Sequence, residues 1–140
     1  MTIKEIQEEI IDEFSMFDDW MERYEYIIEL GKSLPLIEDT YKTDDNLIVG
    51  CQSKVWLHSE IDGDKINFTA DSDAILTKGI VAILLRVFNN QKPQDILDAD
   101  LYFVDEIGLK EHLSPTRANG LVSMIKQIKL YALAFQSKLS

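Results

Sequence analysis

The chain is poor in cysteine, histidine and positive charge. A single cysteine, Cys51, stands among 140 residues, so no internal disulfide framework can form. With only two histidines besides, there are too few soft ligands for zinc or an iron–sulfur cluster held by this chain alone. The expectation is a protein with no metal or cofactor of its own. Lys and Arg number 14 against 25 Asp and Glu, for a net charge of −11. Neutralising phosphates takes concentrated cations, which argues against a nucleic-acid partner and against anionic membranes. Long apolar runs are also missing: the longest, residues 79–85, falls far short of a membrane span. The first residues are acidic and amphipathic, without the basic and apolar regions of a signal peptide. A cytoplasmic protein is expected.

What is present suits a folded domain. Hydrophobic residues make up 46% and charged residues 28%, ordinary values for a globular chain, and 140 residues are most simply one domain, 1–140. Thr2 with Glu5 has the capping-box spacing. It opens a helix with Ile3, Ile6, Ile10, Phe14 and Phe17 on one stripe and Glu5, Glu8, Glu9, Asp12 and Glu13 toward water. Asp19 with Glu22 starts a second helix, which Gly31 and Pro35 end. Short strands follow an irregular connection over residues 34–46. Residues 47–49 are one candidate; Val55 and Leu57 alternate with Trp56 and His58; Ile66, Phe68 and Ala70 alternate after an Asp62-Gly63-Asp64 turn. Ser72 or Asp73 caps a helix reaching about Asn89 that is apolar nearly all round, the pattern of a central core helix. Pro93 can open a short helical turn, residues 101–112 read as a connector with a helical piece, and Ser114-Pro115 is a strong start for the last helix. The order α-α-β-β(-β)-α-α-α predicts an α+β fold: a small antiparallel sheet of two or three strands covered by helices.

Leu30-Gly31-Lys32-Ser33 imitates the tail of a phosphate-binding loop. Tyr26 stands where that motif needs its first glycine, and the lysine closes a helix rather than opening one. Attention therefore falls on Cys51, placed after Gly50 where a polar loop gives way to a strand. A thiolate is a nucleophile whose availability depends on pKa and exposure. Persulfide transfer needs only an attacking thiolate, an incoming persulfide and shelter for the product, because a thiol leaves without help from a strong acid. Gly50 lets the turn flex or take positive φ, and Gln52 and Ser53 put polar groups beside the sulfur. A cysteine merely packed at a strand end fits the same pattern. So does a stand-alone thiol enzyme, an acyl transferase or hydrolase, provided His58 or His112 reaches Cys51 as a base.

Val49-Gly50-Cys51-Gln52-Ser53-Lys54-Val55-Trp56 resembles the active-site signature of the SufE family, the sulfur acceptors that serve cysteine desulfurases. Leu30-Gly31-Lys32-Ser33-Leu34-Pro35, Ser72-Asp73-Ala74 with Lys78-Gly79, and Gly108-Leu109 with residues 112–121 resemble further family blocks, in family order. Thr116 departs from a position where serine is common. The resemblance implies a fold shared with iron–sulfur scaffold proteins of the IscU type. It implies that Cys51 takes sulfur from the persulfide of a SufS/CsdA-type desulfurase, stimulates that enzyme and passes sulfur to a cluster-assembly scaffold. PLP then belongs to the desulfurase. Gly50, Gln52, Ser53, Asp73 and Arg117 carry over as supporting or partner-facing residues, and a homodimer is compatible with the sequence.

Overall fold

The computed structural model describes residues 1–139. Helices α1 (Ile3–Phe14) and α2 (Trp20–Leu30) come first. Strands β1 (Val55–Asp62) and β2 (Lys65–Ser72) follow, then α3 (Ile75–Phe88), three short helices, α4 (Pro93–Asp98), α5 (Phe103–Glu106) and α6 (Leu109–His112), and the long α7 (Pro115–Leu139). The fold is α+β, as the segregation of strands and helices predicts.

Local chemistry accounts for the boundaries. Thr2 Oγ1 accepts from the Glu5 amide at 3.1 Å while Glu5 Oε1 accepts from the Thr2 amide at 2.9 Å, closing the capping box. Asp19 caps α2 through the Glu22 amide at 2.8 Å. β1 and β2 pair antiparallel from Val55 opposite Ser72 to Asp62 opposite Lys65, joined through Gly63 at φ +65°. Val55, Leu57, Ile66, Phe68 and Ala70 turn one sheet face into the core. On that face lies α3, buried at Thr77, continuously from Gly79 to Leu85, and again at Val87 and Phe88. It packs against β2, α1 and α2, and α7 packs against α3 and α4.

Three expectations are corrected. Residues 47–49 form no third strand: Leu47 makes a single bridge to Trp56, and the Ile48 amide bonds to the Val55 carbonyl at 2.9 Å before Gly50, at φ +96°, turns the chain away. Gly31 caps α2 as the sequence predicts, at φ −60°, and the chain continues into a 3-10 turn. Glycine is suited there because a Cβ would meet the Gly79 amide nitrogen at 3.1 Å, where α2 and α3 cross. The N-cap of α3 is Ala74, with no side-chain cap bond, because the Asp73 carboxylate is engaged elsewhere. Glu13 does not face water: Arg86 and Tyr26 both bond its carboxylate, and the Arg86 guanidinium holds it below the usual carboxylate range. No helix among the described residues is long and apolar enough to cross a membrane.

Candidate functional site

Cys51 lies on a short loop whose base is tied on both sides. On one side is the bond between Ile48 and Val55. On the other, Asp73 Oδ1 accepts from the Lys54 amide at 3.0 Å and the Asp73 amide donates to the Lys54 carbonyl at 3.2 Å. Asp73, 19 residues along the chain, is thereby a clamp on the strand entrance. A carboxylate accepting from a backbone amide is a charge-assisted bond, stronger than a neutral one.

Within the loop, Gly50 is required twice. Its φ of +96° disfavours any side chain, and a Cβ there would come within 2.5 Å of Ser123 Oγ on α7. That close approach lays the loop on α7 and turns the half-buried thiol inward. Cys51 Sγ lies 3.6 Å from the Gly120 carbonyl oxygen and donates weakly to it. Gly120 is buried directly beneath the sulfur, and a methyl group there would touch it at 3.6 Å. Burial pushes the Cys51 thiol pKa up from its ordinary value of 9.0, so the neutral form is favoured.

Beside the sulfur is a pocket of ≈ 50 Å³. Gln52 and Ser53 line it from the loop, Thr77 and Ile80 from α3, and Thr116, Arg117, Gly120 and Met124 from α7. Since roughly 10–15 Å³ admits one water-sized group, this is room for a small adduct rather than a substrate. Arg117 is exposed at the rim, its amide donating to Ser114 Oγ at 3.3 Å. Its guanidinium makes no hydrogen bond or ion pair among the described residues. The structure thus brings Gly50, Gln52, Ser53 and Arg117 around Cys51 and places Asp73 at the loop base.

Neither histidine joins them. His58 stacks on Tyr41 with ring centroids 3.8 Å apart and lies 3.2 Å from Glu60. His112 stacks on Trp20 at 3.9 Å, its Nδ1 3.0 Å from the Gly108 carbonyl. No group of three metal-ligating side chains occurs among the described residues.

Sequence reasoning missed Thr77 and the carbonyl of Gly120. Thr77 is 6% exposed and its hydroxyl has no partner among the described residues, though it lines the pocket. The one available signal was a polar residue on the otherwise apolar face of α3.

Residues 8–132 match the family described as SufE, Fe-S metabolism associated domain. An uncharacterized SufE-like protein of Rhizobium meliloti (strain 1021) is 44% identical over 127 residues, covering 87% of this chain and 91% of that protein. A second, from Rhizobium etli, is 42% identical over 127 residues, 87% of this chain and 86% of its own length. The solution structure of a hypothetical protein from Thermus thermophilus shares the fold, with a TM-score of 0.78 at 16% identity over 94% of this chain and 96% of that one. A family match over most of the length, relatives above 40% identity and a lone thiol sheltered on a clamped loop agree: the chain belongs to the SufE family, whose domain is associated with iron–sulfur metabolism.

Proposed function

We propose that Cys51 is a sulfur acceptor, loaded by the persulfide of a PLP-dependent cysteine desulfurase and unloaded toward an iron–sulfur cluster scaffold. The observation that carries this reading is the sheltered thiol over a pocket sized for a small adduct, with no base and no metal ligands around it among the described residues. The Cys51 thiolate attacks the terminal sulfur of the desulfurase persulfide. A new S–S bond forms to Cys51, the old one breaks, and its electron pair leaves on the desulfurase thiolate. The proton lost by Cys51 is matched by the one that thiolate takes up, and no external oxidant or reductant enters.

Arg117 at the rim favours an anionic sulfur electrostatically, and the free Thr77 hydroxyl offers a hydrogen bond to the terminal sulfur. In the closed loop burial lowers the thiolate fraction of Cys51, and loading follows an outward movement of the loop against the desulfurase. Val49, 89% exposed beside the thiol, and Ile75, 69% exposed two residues past Asp73, are apolar contacts for that partner. Stimulation of the desulfurase belongs to the same reading.

Incubation with a cysteine desulfurase and cysteine tests it. Intact-protein mass spectrometry is expected to show the mass of one added sulfur on Cys51, removable by reductant and absent from Cys51→Ser. Absence of the adduct, together with undiminished desulfurase stimulation by Cys51→Ser, refutes it. A stand-alone acyl transferase or hydrolase is disfavoured because both histidines are held by contacts outside the pocket.

A further inference from the structure

Away from the thiol, α7 has an unusual charge pattern. In a chain of net charge −11, residues 115–139 include Arg117, Lys126, Lys129 and Lys138 but no Asp or Glu. The same helix leaves apolar side chains uncovered: Val122 is 52% exposed, Leu130 49% and Leu133 51%. They line an open groove of ≈ 500 Å³ with Leu97, Ile125, Lys110, Lys126 and Lys129. Lys129 is anchored, donating to the Ala99 carbonyl at 2.7 Å and so fixing α7 to the end of α4. Lys110 and Lys126 are exposed and have no partner among the described residues. At about 3.6 residues per turn, Val122, Lys126, Leu130 and Leu133 fall on the side of α7 roughly opposite Thr116, Arg117, Gly120 and Met124, which line the thiol pocket.

We propose that this groove is a docking surface for an acidic amphipathic helix of a partner protein, separate from the face that presents Cys51. Apolar side chains one turn apart on the incoming helix fill the groove, and flanking Asp or Glu meet Lys110 and Lys126. The overall negative charge does not forbid this. Fields fall off over about 8 Å at physiological salt, so Lys110, Lys126 and Lys129 in the groove lining, which includes no Asp or Glu, act locally against the chain's net charge. Because the two faces of α7 point apart, the partner can bind while Cys51 is engaged elsewhere. The surface stands whether or not Cys51 carries sulfur.

The test uses a synthetic amphipathic helical peptide with leucines on one face and glutamates beside them, and the same peptide with lysines for glutamates. Amide chemical-shift mapping and fluorescence anisotropy follow binding to the full chain. The expected result is that the acidic peptide binds at least about tenfold more tightly than the basic one, with shifts centred on Val122, Leu130 and Leu133. Lys126→Glu and Leu130→Asp each weaken binding while helical content and the native alkylation rate of Cys51 stay unchanged. Equal binding of the two peptides, or shifts centred outside the groove, overturns the proposal. So does concentration-dependent dimerisation of the free protein with the groove residues shifting, which would make a second copy the occupant.

Discussion

Replacing Gly50 with alanine separates movement of the Cys51 loop from unfolding of the protein. At φ +96° an alanine side chain is strained, by about 1–3 kcal/mol for sparsely populated backbone conformations. The new methyl would also approach Ser123 Oγ to 2.5 Å and Ser123 Cβ to 3.3 Å. The hydroxyl can rotate away, so the backbone term dominates, and about 2 kcal/mol is a fair working value. If the loop opens without global unfolding, that strain falls only on the closed form. The open population then rises about 30-fold, since about 1.4 kcal/mol is a factor of ten.

The assay is pseudo-first-order alkylation of native protein by iodoacetamide at pH 7, beside urea unfolding of the same sample. Alkylation of Gly50→Ala is expected to be faster by tens of fold and nearly independent of urea below the unfolding transition. The unfolding free energy falls by up to about 2 kcal/mol, because the strained closed form is the folded state. Adding Ser123→Ala should return only a minor part of the rate, because it removes the contact but not the φ. An alkylation rate within about twofold of wild type would refute the reasoning, and so would a rate that rises with urea along the global unfolding slope, since the loop would then open only with the whole fold.

The alkylation rate should also climb with pH to a midpoint above 9.0, since burial raises the thiol pKa. The sign for stability follows: above the unfolded thiol's pKa the unfolded chain loses a proton that the folded chain retains. Wild type should therefore lose stability relative to Cys51→Ala as pH rises through that window, a difference read from paired urea melts. Thr77→Val, nearly isosteric, should shorten the lifetime of sulfur on Cys51 under a fixed concentration of reductant without lowering the melting temperature. Gly79→Ala would place a Cβ 2.1 Å from the Ile27 carbonyl oxygen. It should lower unfolding free energy by about 3 kcal/mol or more, since α2 and α3 must separate. Gln7→Leu strips a buried amide that donates to the Asp100 carbonyl at 3.1 Å and accepts from the Phe103 amide at 3.2 Å. A loss of about 1–3 kcal/mol by denaturant melt is expected from the orphaned groups.

Features written in short-range patterns were legible in the sequence. The Thr2–Glu5 box, the Asp19 cap, the turn at Gly63 and the Ser114-Pro115 start are all local, and each stands where the spacing puts it. The apolar surface nearly all round α3 identified the core helix for the same reason. Illegible were the meetings of distant segments. Asp73 has the composition of a helix cap, yet its carboxylate finds the Lys54 amide, because β2 returns it beside the entrance of β1. Gly31 sits where a helix ends, and only the crossing with Gly79 reveals a steric rather than a conformational demand. Glu13 belongs to a run of acids that reads as a wet face until Arg86, 73 residues on, reaches it. Around the thiol, the motif marked Cys51 and its neighbours, whereas the carbonyl of Gly120 and the hydroxyl of Thr77 come from helices whose arrival no local pattern encodes.

The ties at the base of the Cys51 loop also set a length. With Ile48 held to Val55 and Lys54 held to Asp73, only the residues between are free to swing. Cys51 stands three positions from the Ile48 anchor and three from Lys54. At about 3.3–3.6 Å per extended residue, the Cys51 Cα can travel roughly 10 Å from either tie and no farther while both hold, with the sulfur one short side chain beyond it. The loop is thus a tether of fixed radius, and any cysteine that exchanges sulfur with Cys51 must be delivered inside that sphere. A partner whose reactive sulfur lies at the bottom of a cleft deeper than this would have to admit the loop's base, β1's first residue and Asp73 included, or else break the clamp to lengthen the line.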